Sequence, residues 1–246
     1  MSEELFPLTS KYDLNWIRKN SYDGLTLHCL ESLCQIMPLE RGMRVLDLGC
    51  GWAISSIFLA NEFDVQVWAV DVEKSPSENY QRVLEAECDD HVFPVWADAR
   101  DLPFPENFFD AVISIDAYSY FGLDERYPAY LLNYLKPGGL VGIVDGCFTR
   151  EICSISDTPD YLRKLYLDDE DPWYAVHSIS WWRNYWEKAG LAKVLTAEIL
   201  PQNDYIWQEY INNCRNQKGE QTLINALLND SQNLIAMFRM VARSRL

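Results

Sequence analysis

The architecture of this chain turns on one stretch, Val45-Leu46-Asp47-Leu48-Gly49-Cys50-Gly51-Trp52-Ala53. A β-rich segment, Arg44–Leu48, runs into glycines and then into a helical pattern over residues 55–62. Glycines at such a junction let the backbone approach a ligand closely, and the helix start behind them offers free N–H groups. Outward from it, residues 65–70 read as a second strand ending at Asp71. Ser75-Pro76-Ser77-Glu78 reads as a capping box with proline at the first helical position, predicting a helix to about residue 88. Residues 92–97 read as a third strand ending at Asp98, with Pro94 best suited to a sheet edge. Phe109–Ile115 is a fourth strand ending at Asp116, followed by a helix over residues 124–135. Lys136-Pro137-Gly138-Gly139 breaks helix and strand alike, and residues 140–144 form a fifth strand. Strands alternating with helices predict βαβ units, a mostly parallel sheet and helices on both faces. The nearly continuous apolar runs fit strands buried on both sides.

The flanks are less regular. Leu25, Leu30, Leu33, Ile36 and Met37 predict an amphipathic helix over residues 22–37. Residues 147–178 carry Asp168-Asp169-Glu170-Asp171-Pro172 and no long period, so they read as a cap. A helix over 180–189, a strand over 192–200, helices over 204–215 and 220–228 and a strand over 234–242 follow. With no Pro-, Gly- or Ser-rich linker, the expectation is one domain: a helical cover (1–43), a core (44–146), a cap (147–178) and C-terminal strands (179–246) with a helical insertion at about 201–231.

Composition narrows the function. With 246 residues, 48% hydrophobic and 24% charged, the chain can bury a large core. Its 37 acidic against 21 basic residues give a charge of −16. That argues against a groove tracking a nucleic-acid backbone and against docking on anionic lipid. No apolar run is long enough for a membrane helix. The acidic start Met1-Ser2-Glu3-Glu4 is no signal peptide, and a cytoplasmic location is expected. The seven cysteines are odd in number and without CxxC spacing, so reduced thiols are expected, with no metal site.

Asp47, Asp71, Asp98 and Asp116 all lie at or near predicted carboxyl ends of strands, the edge where open α/β sheets bind ligands. Asp71 follows Gly51 by twenty residues, the position of a carboxylate that grips ribose hydroxyls. The dinucleotide fingerprint is broken, since its third small residue falls on Ile54. The string instead resembles the D/E-x-G-x-G-x-G motif of class I S-adenosylmethionine (SAM)-dependent methyltransferases, with Ala53 in place of the last glycine. Further segments resemble that family in order: residues 67–71, Trp96-Ala97-Asp98-Ala99, Arg100-Asp101-Leu102-Pro103-Phe104, Phe109-Asp110-Ala111-Val112 and Leu135-Lys136-Pro137-Gly138-Gly139. The broader likeness is to its type 11 and cyclopropane-synthase-like groups, over roughly residues 40–146.

The resemblance implies a Rossmann-like α/β fold: a mostly parallel seven-stranded sheet, helices on both faces and an antiparallel last strand. It implies SAM as cofactor, S-adenosyl-L-homocysteine as product and methyl transfer to a small molecule. Gly49, Cys50 and Gly51 would border the methionine part of SAM, and Asp47 would help hold its ammonium. Asp71, with Val72 beside it, would clamp the ribose. Asp98 would accept from the adenine amino group between Ala97 and Ala99, and Ile115 and Asp116 would lie near the methionine end. Carboxylates suit the sulfonium cation.

Asp116, Tyr118 and Tyr120 are the candidate catalytic groups. Asp116-Ala117-Tyr118-Ser119 lacks the two prolines of the DPPY motif of amino-methylating nucleic-acid enzymes, a second argument against DNA or RNA. Tyr22, His177 and Trp181 are candidate substrate contacts; Trp182 and Trp186, four apart, share a helix face suited to the core. Trp173 and Tyr174 are candidates to close a lid. Rival readings are an NAD(P)-dependent oxidoreductase, a non-catalytic SAM-binding regulatory protein and a lipid cyclopropane synthase. The acceptor atom and the oligomeric state stay open.

Overall fold

The computed structural model describes residues 2–167, 176–188 and 190–246. The acidic run 168–171 and the lid candidates Trp173 and Tyr174 lie outside the described residues.

The elements run α1 (Ser2–Leu5), α2 (Leu14–Lys19), α3 (Thr26–Cys34), β1 (Arg44–Leu48), α4 (Ile54–Phe63), β2 (Gln66–Asp71), α5 (Pro76–Glu85), β3 (Val92–Trp96), β4 (Phe109–Ile115), α6 (Tyr127–Leu132), β5 (Leu135–Phe148), α7 (Arg163–Tyr166), α8 (Ile179–Glu187), β6 (Ala192–Ile199), α9 (Asn203–Cys214), α10 (Gln221–Leu228) and β7 (Ile235–Ser244). Seven strands form one sheet in the order β3-β2-β1-β4-β5-β7-β6. β1 to β5 pair in parallel, and β7 runs antiparallel between β5 and β6. This is the Rossmann-like fold expected, and β3 is the edge strand that tolerates Pro94.

Strand parity assigns the two faces. Val45, Val67, Ala111, Ile113 and Val144 meet α3, α4 and α9 in one buried cluster. Leu46, Leu48, Val112, Val141 and Ile143 meet α6 and α8 in a second. A third cluster joins Phe148 and Ile235 to α7 and α10. Trp182 and Trp186 are fully buried in the second, as their shared face predicts.

Local differences from the sequence expectations have identifiable causes. The helix expected from residue 22 starts at Thr26, because Gly24 sits at φ +79° and Asn213 Nδ2 donates to the Asp23 carbonyl at 2.8 Å. Leu135 already pairs with Phe109, so Lys136–Gly139 bulges within β5 rather than preceding it. β5 continues to Phe148, which shortens the cap. Ser75 precedes α5 with Pro76 in its first turn, yet its side chain makes no capping bond.

Candidate active site

Beyond β1 the chain turns at Gly49 (φ +77°) and Gly51 (φ +52°) and enters α4 through Ala53 (φ +60°). A Cβ on Gly49 would lie 2.5 Å from Cβ of Ala117, so glycine lets the turn pass the chain leaving β4. A Cβ on Gly51 would meet nothing within 4 Å; its outer face is open. Gly49 and Cys50 donate their N–H groups to the Val70 carbonyl at 2.9 and 3.1 Å. Gly51 donates its N–H to Asp71 Oδ2 at 2.9 Å. Asp71 Oδ1 accepts from the N–H groups of Glu73 and Lys74 at 2.8 and 2.9 Å. Three backbone bonds thus fix a half-buried carboxylate at the end of β2, and Oδ2 keeps one lone pair for a ligand hydroxyl.

Asp47 is placed differently from the expectation. Parity puts it on the α4 face with Val45, where it is 1% exposed. Its Oδ2 accepts from the hydroxyls of Ser55 and Ser56, each at 2.6 Å. Burial raises its carboxyl to about 6, and the two serine bonds oppose that rise. Asp47 therefore ties the first turn of α4 to β1.

Asp98 forms a forked pair with Arg100: Nε to Oδ1 at 2.9 Å and Nη2 to Oδ2 at 2.8 Å. The Arg100 side-chain and backbone bonds hold its carboxyl down at about 2. Ala97 and Ala99 beside it are buried. Val72 and Trp96 stand exposed at the ends of β2 and β3, and the Trp96 indole donates to the Val72 carbonyl at 2.8 Å.

At the end of β4, Ile115 is buried and Asp116 is exposed with φ +52°. Its N–H donates to the Val144 carbonyl at 2.7 Å. A non-glycine residue held left-handed at a strand end is a mark of functional sites. Asp145, one strand over and buried, accepts from the Ser119 N–H at 3.0 Å and its hydroxyl at 3.2 Å. Cys29 of α3 feels both these carboxylates and Asp23; after burial, they push its thiol up.

Tyr118 is 0% exposed and ringed by Phe121, Tyr127, Trp182 and Trp186. As a catalytic candidate it is withdrawn: it packs the α8 face. Tyr120, two residues on, is 70% exposed.

Tyr22 lies at the glycine turn. Its ring meets Trp52 edge-on at 4.6 Å, its hydroxyl donates to Glu73 Oε2 at 3.3 Å, and Lys74 Nζ sits 4.0 Å from the Trp52 ring. His177 and Trp181 are elsewhere. His177 Nδ1 is 2.7 Å from Glu151 Oε1, and its ring stacks on Trp181 at 3.8 Å. Trp181 in turn lines a groove of about 500 Å³ with Glu125, Asn184, Tyr185, Glu187 and Lys188, none of them residues of the glycine turn. These two are not brought together with the site.

Sequence reasoning missed Ser55 and Ser56, and also Asn79 and Arg82 of α5. Asn79 is 2% exposed and donates to the Gly51 carbonyl at 2.9 Å. A signal existed: Asn79 shares the buried stripe of α5 with Val83, four residues on, where an apolar residue is expected. Among the described residues no helix is long and apolar enough to cross a membrane, and no cluster of three His, Cys, Asp or Glu could hold a metal ion.

Residues 45–139 match the family model of a methyltransferase domain. The 27-O-demethylrifamycin SV methyltransferase of Amycolatopsis mediterranei is 31% identical over 121 residues, 49% of this chain and 44% of that protein. The cyclopropane-fatty-acyl-phospholipid synthase of Escherichia coli K12 is 32% identical over 114 residues, 45% of this chain and 28% of that protein. The chain thus spans less than half the length of either relative. The crystal structure of a putative sarcosine dimethylglycine methyltransferase from Galdieria sulphuraria superposes with TM-score 0.72 at 18% identity, covering 99% of this chain and 98% of that one. At that identity the likeness speaks to the fold.

Proposed function

We propose that this chain, whose residues 45–139 match the model of a methyltransferase domain, is a class I enzyme that moves a methyl group from SAM to a small-molecule acceptor and releases S-adenosyl-L-homocysteine. The observation that carries the reading is the Gly51 turn bonded to the Asp71 carboxylate, in a sheet whose β7 is antiparallel. A dinucleotide-binding sheet of strand order 3-2-1-4-5-6 has no such inserted strand, which counts against the NAD(P) alternative.

Bound SAM supplies a methyl on a sulfonium centre with a good leaving group, so the protein's task is chiefly positioning. Asp71 would receive a ribose hydroxyl on Oδ2, and Asp98 the adenine amino group between Val72, Ala97 and Ala99. Gly49, Cys50, Gly51 and Ile115 would border the methionine portion. Asp116, exposed beside the buried Asp145, is the candidate to hold the acceptor or take its proton, with Tyr120 behind it. The carboxylates near Cys29 favour a neutral or cationic acceptor; an anionic acceptor seated on Lys or Arg would refute that. The likeness to a cyclopropane synthase keeps a lipid alkene as the alternative acceptor. The reading takes the chain as one domain with covers at 1–43, 147–178 and 201–231, working in the cytoplasm, with neither nucleic acid nor membrane as partner.

Parallel calorimetric titrations with S-adenosylhomocysteine and NADH test the cofactor. Binding of the first alone is expected; binding of NADH alone would overturn the reading. Tight binding with no turnover across a broad acceptor panel would favour a regulatory protein. A crystal soak should show a ribose hydroxyl on Asp71 Oδ2.

A further inference from the structure

Gly51 is held through both of its flanking peptide groups. Its N–H donates to Asp71 Oδ2 at 2.9 Å, and its carbonyl accepts from Asn79 Nδ2 at 2.9 Å. Asn79 Oδ1 accepts from Arg82 Nη1 at 3.1 Å, and Arg82 Nε donates to Asn20 Oδ1 at 2.7 Å. Asn20 is buried and belongs to the segment between α2 and α3. Its own Nδ2 donates to the Trp16 carbonyl at 2.9 Å, so its amide is oriented within the N-terminal cover. An unbroken chain of four hydrogen bonds therefore joins Asp71, Gly51, Asn79, Arg82 and Asn20. The same segment reaches the helical insertion, where Asn213 Nδ2 donates to the Asp23 carbonyl at 2.8 Å.

We propose that Asn79 and Arg82 are positioning residues: they lock the Gly51 peptide for the cofactor and couple that lock to the N-terminal cover through Asn20. The inference rests on the cofactor reading above. Asn79 suits the task because one amide donates to a carbonyl and accepts from a guanidinium at once. Arg82 suits it because its rigid fork reaches two amide oxygens that an ammonium point charge would not hold together. Gly51 has φ +52°, and a Cβ there would meet nothing within 4 Å, so these hydrogen bonds rather than side-chain packing fix its backbone. The Tyr22–Trp52–Lys74 cluster then closes on a turn already set.

The test is calorimetric titration of the intact chain with S-adenosylhomocysteine. Asn79→Asp keeps shape and the Arg82 contact but removes the donor to Gly51. The buried carboxylate, set against the Gly51 carbonyl, should lower the melting temperature, and at a temperature where the variant stays folded it should bind about tenfold more weakly. Arg82→Ala should weaken binding about threefold or more, and Arg82→Lys should restore only part of the loss. Hydrogen exchange supplies a readout that simple destabilisation does not move. In the wild type, ligand should slow exchange at residues 20–25; in Arg82→Ala at saturating ligand it should not. If the wild type binds and Asn79→Asp binds within twofold of it, the positioning role falls while the cofactor reading stands. If ligand slows exchange at 20–25 equally in Arg82→Ala, the coupling to the cover falls. If the wild type itself does not bind, the cofactor reading falls first and takes this proposal with it.

Discussion

Replacing Asp47 with asparagine should make the protein more stable at neutral pH. The carboxyl is 1% exposed, and burial raises it from 3.8 to about 6. A proton held more tightly in the folded state gives stability that is complete below 3.8 and is lost as pH rises through about 6. At about 1.4 kcal/mol per pH unit, ionised Asp47 costs the fold about 3 kcal/mol at pH 7.5. In Asp47→Asn the new amide can offer its carbonyl oxygen to both Ser55 and Ser56, as Oδ2 does now, without the charge. The assay is urea unfolding of both proteins at pH 4.5, 6 and 7.5. The variant should gain up to about 3 kcal/mol at pH 7.5, or about 5–10 °C in melting temperature, and little at pH 4.5. The difference between the proteins matters more than either curve. His28, pushed down to about 4 by burial, contributes stability that is present above 6.5 and lost as pH falls through about 4. That opposes Asp47 in the wild-type curve but cancels in the comparison. A variant less stable than wild type at pH 7.5, or a difference flat across the range, would refute the argument.

Three further outcomes follow from the site. Asp71→Asn replaces one oxygen by an NH₂ group facing backbone N–H donors; S-adenosylhomocysteine binding by calorimetry should weaken at least tenfold. Gly49→Ala places a Cβ 2.5 Å from Ala117 at a φ of +77°, and thermal melts should show a loss of about 2–4 kcal/mol. Tyr118→Phe removes a fully buried hydroxyl on the α8 face, so ligand binding should be unchanged and stability should shift by no more than about 1 kcal/mol; a loss of binding would return Tyr118 to the site.

The sheet was legible because parallel strands buried on both faces write themselves as unbroken apolar runs, and because Pro94 could sit only where β3 does, at the edge. The same double burial hid which way each side chain points. Val45, Leu46, Asp47 and Leu48 look alike in pattern, yet parity sends Asp47 under α4 with Val45 and its neighbours under α6 and α8. Tyr118 and Tyr120 likewise sit two residues apart in one short helical turn, one fully buried and one exposed. The break at residues 20–25 depends on Asn213, 190 residues away, and no window of local periodicity contains that contact.

Four aspartates near one sheet edge therefore do not count as four equal contacts to one ligand. Asp47 is enclosed by serines and spends its charge on the start of α4. Asp71 is already a three-bond hub whose remaining capacity is one direction on Oδ2. Asp98 is held by Arg100, so an adenine amino group bound as proposed would share or displace a guanidinium there. Asp116 alone combines exposure with a left-handed backbone at the end of β4. Environment divides one residue type into a scaffold, a clamp, a paired acceptor and a candidate for chemistry. Substitution of the buried Asp47 should register in stability and that of the exposed Asp116 in binding, so the two readouts distinguish these roles experimentally.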